Sequence, residues 1–162
     1  MAKIKSKKNN HFDKQNNVQM VDVGNKKITK RLAVATGIIN VSADVIDAIE
    51  KNSNKKGDVI SVASTAAIQA VKETSKLIPL AHNIHITGVN VKFTAVRSKK
   101  IISCTVEVKC VGKTGVEIEA LMGVNIGLLT IYDMCKYLDR SMIIGDIKLL
   151  LKEGGKSGKY KL

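Results

Sequence analysis

The sequence has 162 residues, 44% of them apolar and one a proline, with 27 Lys and Arg against 14 Asp and Glu for a formal net charge of +13. That length and apolar share suit one folded domain with a sizeable core and exclude a chain disordered throughout. No unbroken apolar run reaches the ~20 residues of a membrane span, no segment has signal-peptide character, and three cysteines without a CxxC exclude a disulfide framework and predict a reducing cytoplasm.

In chain order, residues 1–19 form a basic, polar, Asn/Lys-rich extension expected to be disordered, and residues 20–162 form the single domain. Residues 32–41 (LAVATGIINV) are rich in β-branched side chains and predict a strand. Ser42 is the expected N-cap of a helix with Val45, Ile46 and Ile49 on its buried face. After the loop 52–57, apolar residues near helical spacing predict a second helix over 58–75, ended before Pro79. Val89, Val91, Phe93 and Ala95, then Ile102, Cys104, Val106, Val108 and Cys110, alternate with polar residues on either side of Arg97–Lys100, the pattern of a hairpin with one polar face. Residues 115–138 predict the longest helix, apolar nearly all round and therefore buried in the core or between subunits. Residues 143–151 predict a last strand, followed by a mobile Gly/Lys tail. The order strand–helix–helix–strand–strand–helix–strand predicts an α+β fold of ferredoxin-like type, an antiparallel sheet with helices on one face.

The positive charge is uneven. Residues 1–20 hold five Lys and one Asp, and residues 148–162 five Lys and one Glu, so eight of the thirteen net charges sit at the ends. Ionisable residues that interrupt apolar patterning are more informative. On the long helix these are Glu117, Glu119, Asp133 and Lys136, the last two spaced to pair on one face. Glu119 and Asp133 are fourteen residues apart, about 21 Å along a straight helix. They cannot both reach one small substrate from a single copy, so if both act the site is composite and the protein an obligate homo-oligomer. Lys55–Asp58 (KKGD) and Gly112–Gly115 (GKTG) lie at helix starts, where backbone N–H groups and a lysine hold anions. His82 follows an apolar loop. His82 and His85 lack the acidic or thiol partners of a zinc site, so no metal is expected. Residues 154–158 (GGKSG) lack the upstream glycine of a P-loop.

Met20–Val23 (MVDV), Lys56–Asp58 (KGD), Leu77–His82 (LIPLAH), Gly112–Leu121 (GKTGVEIEAL), Leu129–Lys136 (LTIYDMCK) and Gly154–Gly158 (GGKSG) occur in this order. Together they closely resemble the molybdenum cofactor biosynthesis protein C family, the cyclic pyranopterin monophosphate synthases, from about Met20 to the C-terminus. The resemblance implies a lyase that converts (8S)-3′,8-cyclo-7,8-dihydroguanosine 5′-triphosphate to cyclic pyranopterin monophosphate and diphosphate, without a cofactor. It further implies hexamers, trimers of dimers, with active sites at subunit interfaces. By the same resemblance Lys56, Asp133 and Lys136 are catalytic, Leu80, Ala81, His82, Glu117, Ile118 and Glu119 line the substrate pocket, and Arg31 and Lys152 stand near the triphosphate. One departure is Leu80–Asn83 (LAHN) where the family commonly has LCHP, so no thiol takes part at Ala81.

The competing reading is a basic nucleic-acid-binding module. Aromatics are 3% of the chain and Lys outnumbers Arg 24 to 3, which leaves few stacking platforms and few bidentate base readers. The expected partners are a small triphosphate and further copies of the chain, with neither nucleic acid nor membrane. A catalytically dead structural relative is the third reading, separated from the first by turnover.

Overall fold

A computed structural model describes residues 11–156 and 158–162. Its elements are β1 (Thr29–Asn40), α1 (Ala43–Glu50), α2 (Val59–Leu77), β2 (Ile86–Val96), β3 (Ile101–Gly112), α3 (Glu117–Cys135), β4 (Ile143–Glu153) and β5 (Tyr160–Lys161), with a single 3₁₀ turn at Arg97–Lys99. The strands form one sheet in the order β2-β3-β1-β4-β5, every neighbour antiparallel, which is the expected α+β architecture.

Period-2 patterning sets which face is covered. Ile102, Cys104, Val106, Val108 and Cys110 of β3 and Ala33, Ala35 and Ile39 of β1 are buried on the helix side. The β2–β3 connection is closed by Lys100 at φ 51°, and Lys100 accepts from Val41 N–H at 2.9 Å. Ser42 caps α1 by accepting from Val45 N–H, and Asp58 caps α2 by accepting from Ser61 N–H at 3.0 Å. Such caps satisfy N–H groups that have no partner within the helix.

Helix α3 lies against α2 and the sheet. Small residues allow the close approach: Ala63, Ala67 and Ala70 on α2, and Gly123 and Gly127 on α3. A Cβ at Gly123 would stand 3.0 Å from both Val106 and Val71. By length and composition α3 alone among the described helices could cross a membrane (mean hydropathy 1.3), but half of that stretch is buried within the fold. Ile118 and Leu129 on the same helix stay exposed. Opposite α3, β1 passes at Gly37, where a Cβ would come within 2.8 Å of both Ile147 and Val124. Gly37→Ala is therefore expected to cost about 1–3 kcal/mol by overpacking, read as a lower denaturation midpoint with an unchanged denaturant slope.

The ends differ from expectation. Residues 1–10 lie outside the described residues, whereas 11–19, expected without order, form a tight turn. The Asp13 carboxylate accepts from Gln15 and Asn17 N–H, each at 2.8 Å, Gln19 N–H donates to His11 C=O at 2.8 Å, and Phe12 bridges Val18. Nor is the Gly/Lys tail wholly free. β5 returns along β4, pairing Lys161 with Leu151 and Tyr160 with Lys152, and Ser157 lies outside the described residues.

Candidate functional site

The residues singled out from the sequence fall into two groups at opposite ends of α3. At its C-terminal end Asp133 stands between two lysines. Lys136 Nζ lies 2.7 Å from Asp133 Oδ1, and Lys56 Nζ lies 3.3 Å from Oδ2 while also donating to the Asp133 carbonyl at 2.9 Å. The Lys136 and then the Lys56 ammonium hold the Asp133 carboxyl below the usual carboxylate range. All three side chains are 43–58% exposed, so the cluster faces solvent and contributes little to the fold.

Asn54 fixes Lys56 in place, a residue that sequence patterning passes over as one more polar loop position. It is buried, donates from Nδ2 to Met134 C=O at 3.3 Å and to Cys135 Sγ at 3.5 Å, and accepts from Lys56 N–H through Oδ1 at 2.8 Å. The loop before α2 is thereby fastened to the end of α3. Gly57 follows at φ 94°, a conformation that favours glycine. Lys55 lies over the Tyr137 ring, 5.6 Å from its centroid.

At the N-terminal end of α3 a cleft of about 280 Å³ is bounded by Leu80, Ala81, His82, Glu117, Ile118 and Glu119. The turn Ile78–Ala81, closed by Ala81 N–H donating to Ile78 C=O at 3.0 Å, brings His82 to this wall. Glu119 is 4% exposed, and burial, with Glu117 adding to it, pushes its carboxyl up to about 7. Lys152 Nζ stands 3.7 Å from Glu117 Oε1. Burial also pushes the nearby Cys110 thiol up, with Arg31 opposing and Glu119 and Glu117 reinforcing, so these groups share one electrostatic neighbourhood.

Arg31 belongs to this end but its donors are directed inward. Nε donates to Gly112 C=O and Nη2 to Lys113 C=O, each at 3.0 Å. Gly154 and Gly155, at φ 93° and 77°, cover the guanidinium so closely that a Cβ on Gly155 would lie 2.3 Å from Nη1. Lys113, a candidate anion-holding lysine by sequence, instead donates to Gly24 C=O. The cleft is completed by Val21 and Val23 of the MVDV segment and Thr114 and Gly115 of the GKTG turn, and by His11, Lys26 and Ile84, which carried no sequence signal.

The chemistry of the two ends is complementary. One presents two ammonium groups around a carboxylate, and the other a buried carboxyl pushed up to about 7 in a cleft that His82 also lines. An unbroken 19-residue helix, Glu117–Cys135, runs between them.

The MoaC family model matches residues 20–155. The chain is 51% identical over 150 residues to a protein of Clostridium perfringens (strain SM101 / Type A) named cyclic pyranopterin monophosphate synthase, covering 93% of this chain and 95% of that relative. A Campylobacter jejuni protein of the same name is also 51% identical over 150 residues, at 93% and 96% coverage. One from Clostridium botulinum (strain Alaska E43 / Type E3) is 50% identical over 151 residues, at 93% and 95%.

Proposed function

This chain belongs to the MoaC family and is a lyase of molybdenum cofactor biosynthesis, a cyclic pyranopterin monophosphate synthase, and we propose that its catalytic centre joins Lys56, Asp133 and Lys136 of one subunit to the Leu80–His82 and Glu117–Glu119 wall of another. The observation that carries this reading is the placement of the two groups at opposite ends of one continuous helix, on the order of 20 Å apart. A substrate of nucleotide size cannot bridge that distance while both groups attend its reacting atoms. An assembly of dimers, three to a hexamer, brings the ends of α3 from different subunits together, and the exposed apolar Ile118 and Leu129 on that helix suit such contact.

The substrate is (8S)-3′,8-cyclo-7,8-dihydroguanosine 5′-triphosphate, and the products are cyclic pyranopterin monophosphate and diphosphate. Closing the cyclic phosphate forms a P–O bond between the α-phosphorus and a hydroxyl of the same molecule and breaks the bond to the β-phosphate. The leaving diphosphate takes that electron pair, and the hydroxyl proton passes to a basic group of the site. Lys56 and Lys136 supply positive charge where negative charge grows on the phosphates and relay protons, with Asp133 holding the two amines in register. Glu119, with its carboxyl near 7, is suited to give and take protons during rearrangement of the ring system. Lys152, beside Glu117, adds positive charge for the triphosphate at this end. Arg31 adds positive charge at this end while its Nε and Nη2 hold the loop at Gly112–Lys113 and Gly155 packs over Nη1. No step needs a redox cofactor. A reducing cytoplasm agrees with the burial of Cys104, Cys110 and Cys135 as free thiols.

Incubating the purified protein with the cyclic dihydroguanosine triphosphate, with pterin product and diphosphate both followed, is expected to release the two in equal amounts. Salt-sensitive retention on DNA or RNA with no turnover would replace this reading with the nucleic-acid one.

A further inference from the structure

The segment before β1 reaches the cleft, and a side chain from the loop ahead of α3 bonds to it. Val21, Val23 and Lys26 line the cleft together with Glu117, Glu119 and His82. The segment is a turn, closed by Gly24 N–H donating to Asp22 Oδ1 at 2.7 Å and Lys26 N–H to Val23 C=O at 3.0 Å. No strand pairing holds residues 20–26 to the sheet. Among the described residues, the side-chain hydrogen bond that ties it to the body comes from the Lys113 ammonium, which donates to Gly24 C=O. Lys113 is itself anchored, because its own carbonyl accepts from Arg31 Nη2 and the preceding carbonyl, Gly112, from Arg31 Nε.

We propose that Lys113 is a positioning residue that straps residues 21–26 over the cleft, so that Val21, Val23 and Lys26 complete the substrate wall. The inference rests on the cleft being the substrate wall, as argued above, but its structural half does not. A lysine in a loop ahead of a helix ordinarily points to solvent or to an anion. Here the charge is spent on a backbone carbonyl 89 residues away, where it closes a loop instead of binding a ligand. Hydrogen bonds from a charged donor are stronger than neutral ones, and loss of this one should free the turn without disturbing the sheet or α3.

The test compares wild type with Lys113→Met, which keeps the stem and removes the donor, and Lys113→Arg, which restores a donor. Amide hydrogen exchange in residues 21–26 of the substrate-free protein is expected to be about tenfold faster in Lys113→Met and to return towards wild type in Lys113→Arg. KM for the triphosphate should rise about tenfold in Lys113→Met, with kcat within about twofold. A thermal melt checks the fold, and Lys113→Gln serves as the second variant should Lys113→Met melt early. Wild-type exchange in the Met or Gln variant would overturn the strap, and faster exchange with unchanged KM would overturn its part in binding. Wild-type protein without turnover, but with the expected exchange response, would instead refute the functional reading and leave the strap standing.

Discussion

Lys136→Ala and Lys56→Ala are each expected to lower turnover by about 10²- to 10⁴-fold, with melting temperature nearly unchanged. The two effects separate because the cluster is exposed. With both lysines and Asp133 around half accessible to water, their ion pairs add little to the folded state, and removing one leaves no buried charge behind. On the proposed reading, their worth arises when a bound triphosphate excludes that water. Asp133→Asn is the informative companion. Asp133 now accepts from Lys136 through one oxygen and from Lys56 through the other, and its carboxyl is held low mainly by Lys136. An amide offers one acceptor in place of two, so the lysines lose their shared counter-charge and spread apart. A fall of about 10- to 100-fold in kcat is expected, smaller than for loss of either lysine. Near wild-type turnover in Lys136→Ala or Asp133→Asn would remove these residues from the catalytic centre.

Glu119→Gln is expected to stabilise the protein above pH 8 and to leave stability unchanged below pH 4. The folded-state value near 7 lies above the ordinary 4.5, because burial disfavours the charged carboxylate and Glu117 adds repulsion. Below 4.5 the group is protonated in both states and costs nothing. Between 4.5 and 7 the unfolded chain releases its proton first, and the folded state falls behind. Above 7 the cost is complete, about 3 kcal/mol for a displacement of this size. Glutamine keeps the shape and removes the charge, so denaturant midpoints should diverge across that window and run parallel outside it. A hydrogen bond from the backbone N–H of Glu119 itself acts against the cost, and Glu117 acts with it. Identical pH dependence in the two proteins would mean that Glu119 titrates as an ordinary carboxyl. Stability given up at neutral pH for a half-ionised buried acid is the pattern expected of a functional group.

The sheet was legible in the sequence because its signal is local. Val106 and Val108 alternate with Thr105, Glu107 and Lys109, and one face had to be covered. Ser42 announced its helix by residue type, whereas α2 was legible from apolar spacing and its cap, Asp58, was read as the first helical residue. β1 and β2 begin three residues earlier than their patterning, at Thr29 and Ile86, since strand ends need hydrogen bonds to neighbours and not alternation. β5 was missed because two residues carry no period, and its pairing depends on where β4 already lies. Within the site, the separation of Glu119 from Asp133 followed from helix rise alone. The backbone carbonyls that Asn54, Lys113 and Arg31 donate to did not, because they lie 80 or more residues away. Such acceptors exist at every residue and leave no mark in the sequence.

The composite centre is tested most directly by mixing two inactive subunits. Lys136→Ala disables one end of α3 and Glu119→Ala the other. Differently tagged copies, co-expressed and purified through both tags in turn, guarantee mixed assemblies. Where each site takes its lysine cluster from one subunit and its Glu119 wall from the neighbour, a mixed pair contains one intact site and one doubly altered site. Pairing at random then predicts recovery to about a quarter of wild-type turnover from two proteins with almost none. Mixed assemblies no more active than the separate variants, or a wild-type monomer with full activity, would contradict the account.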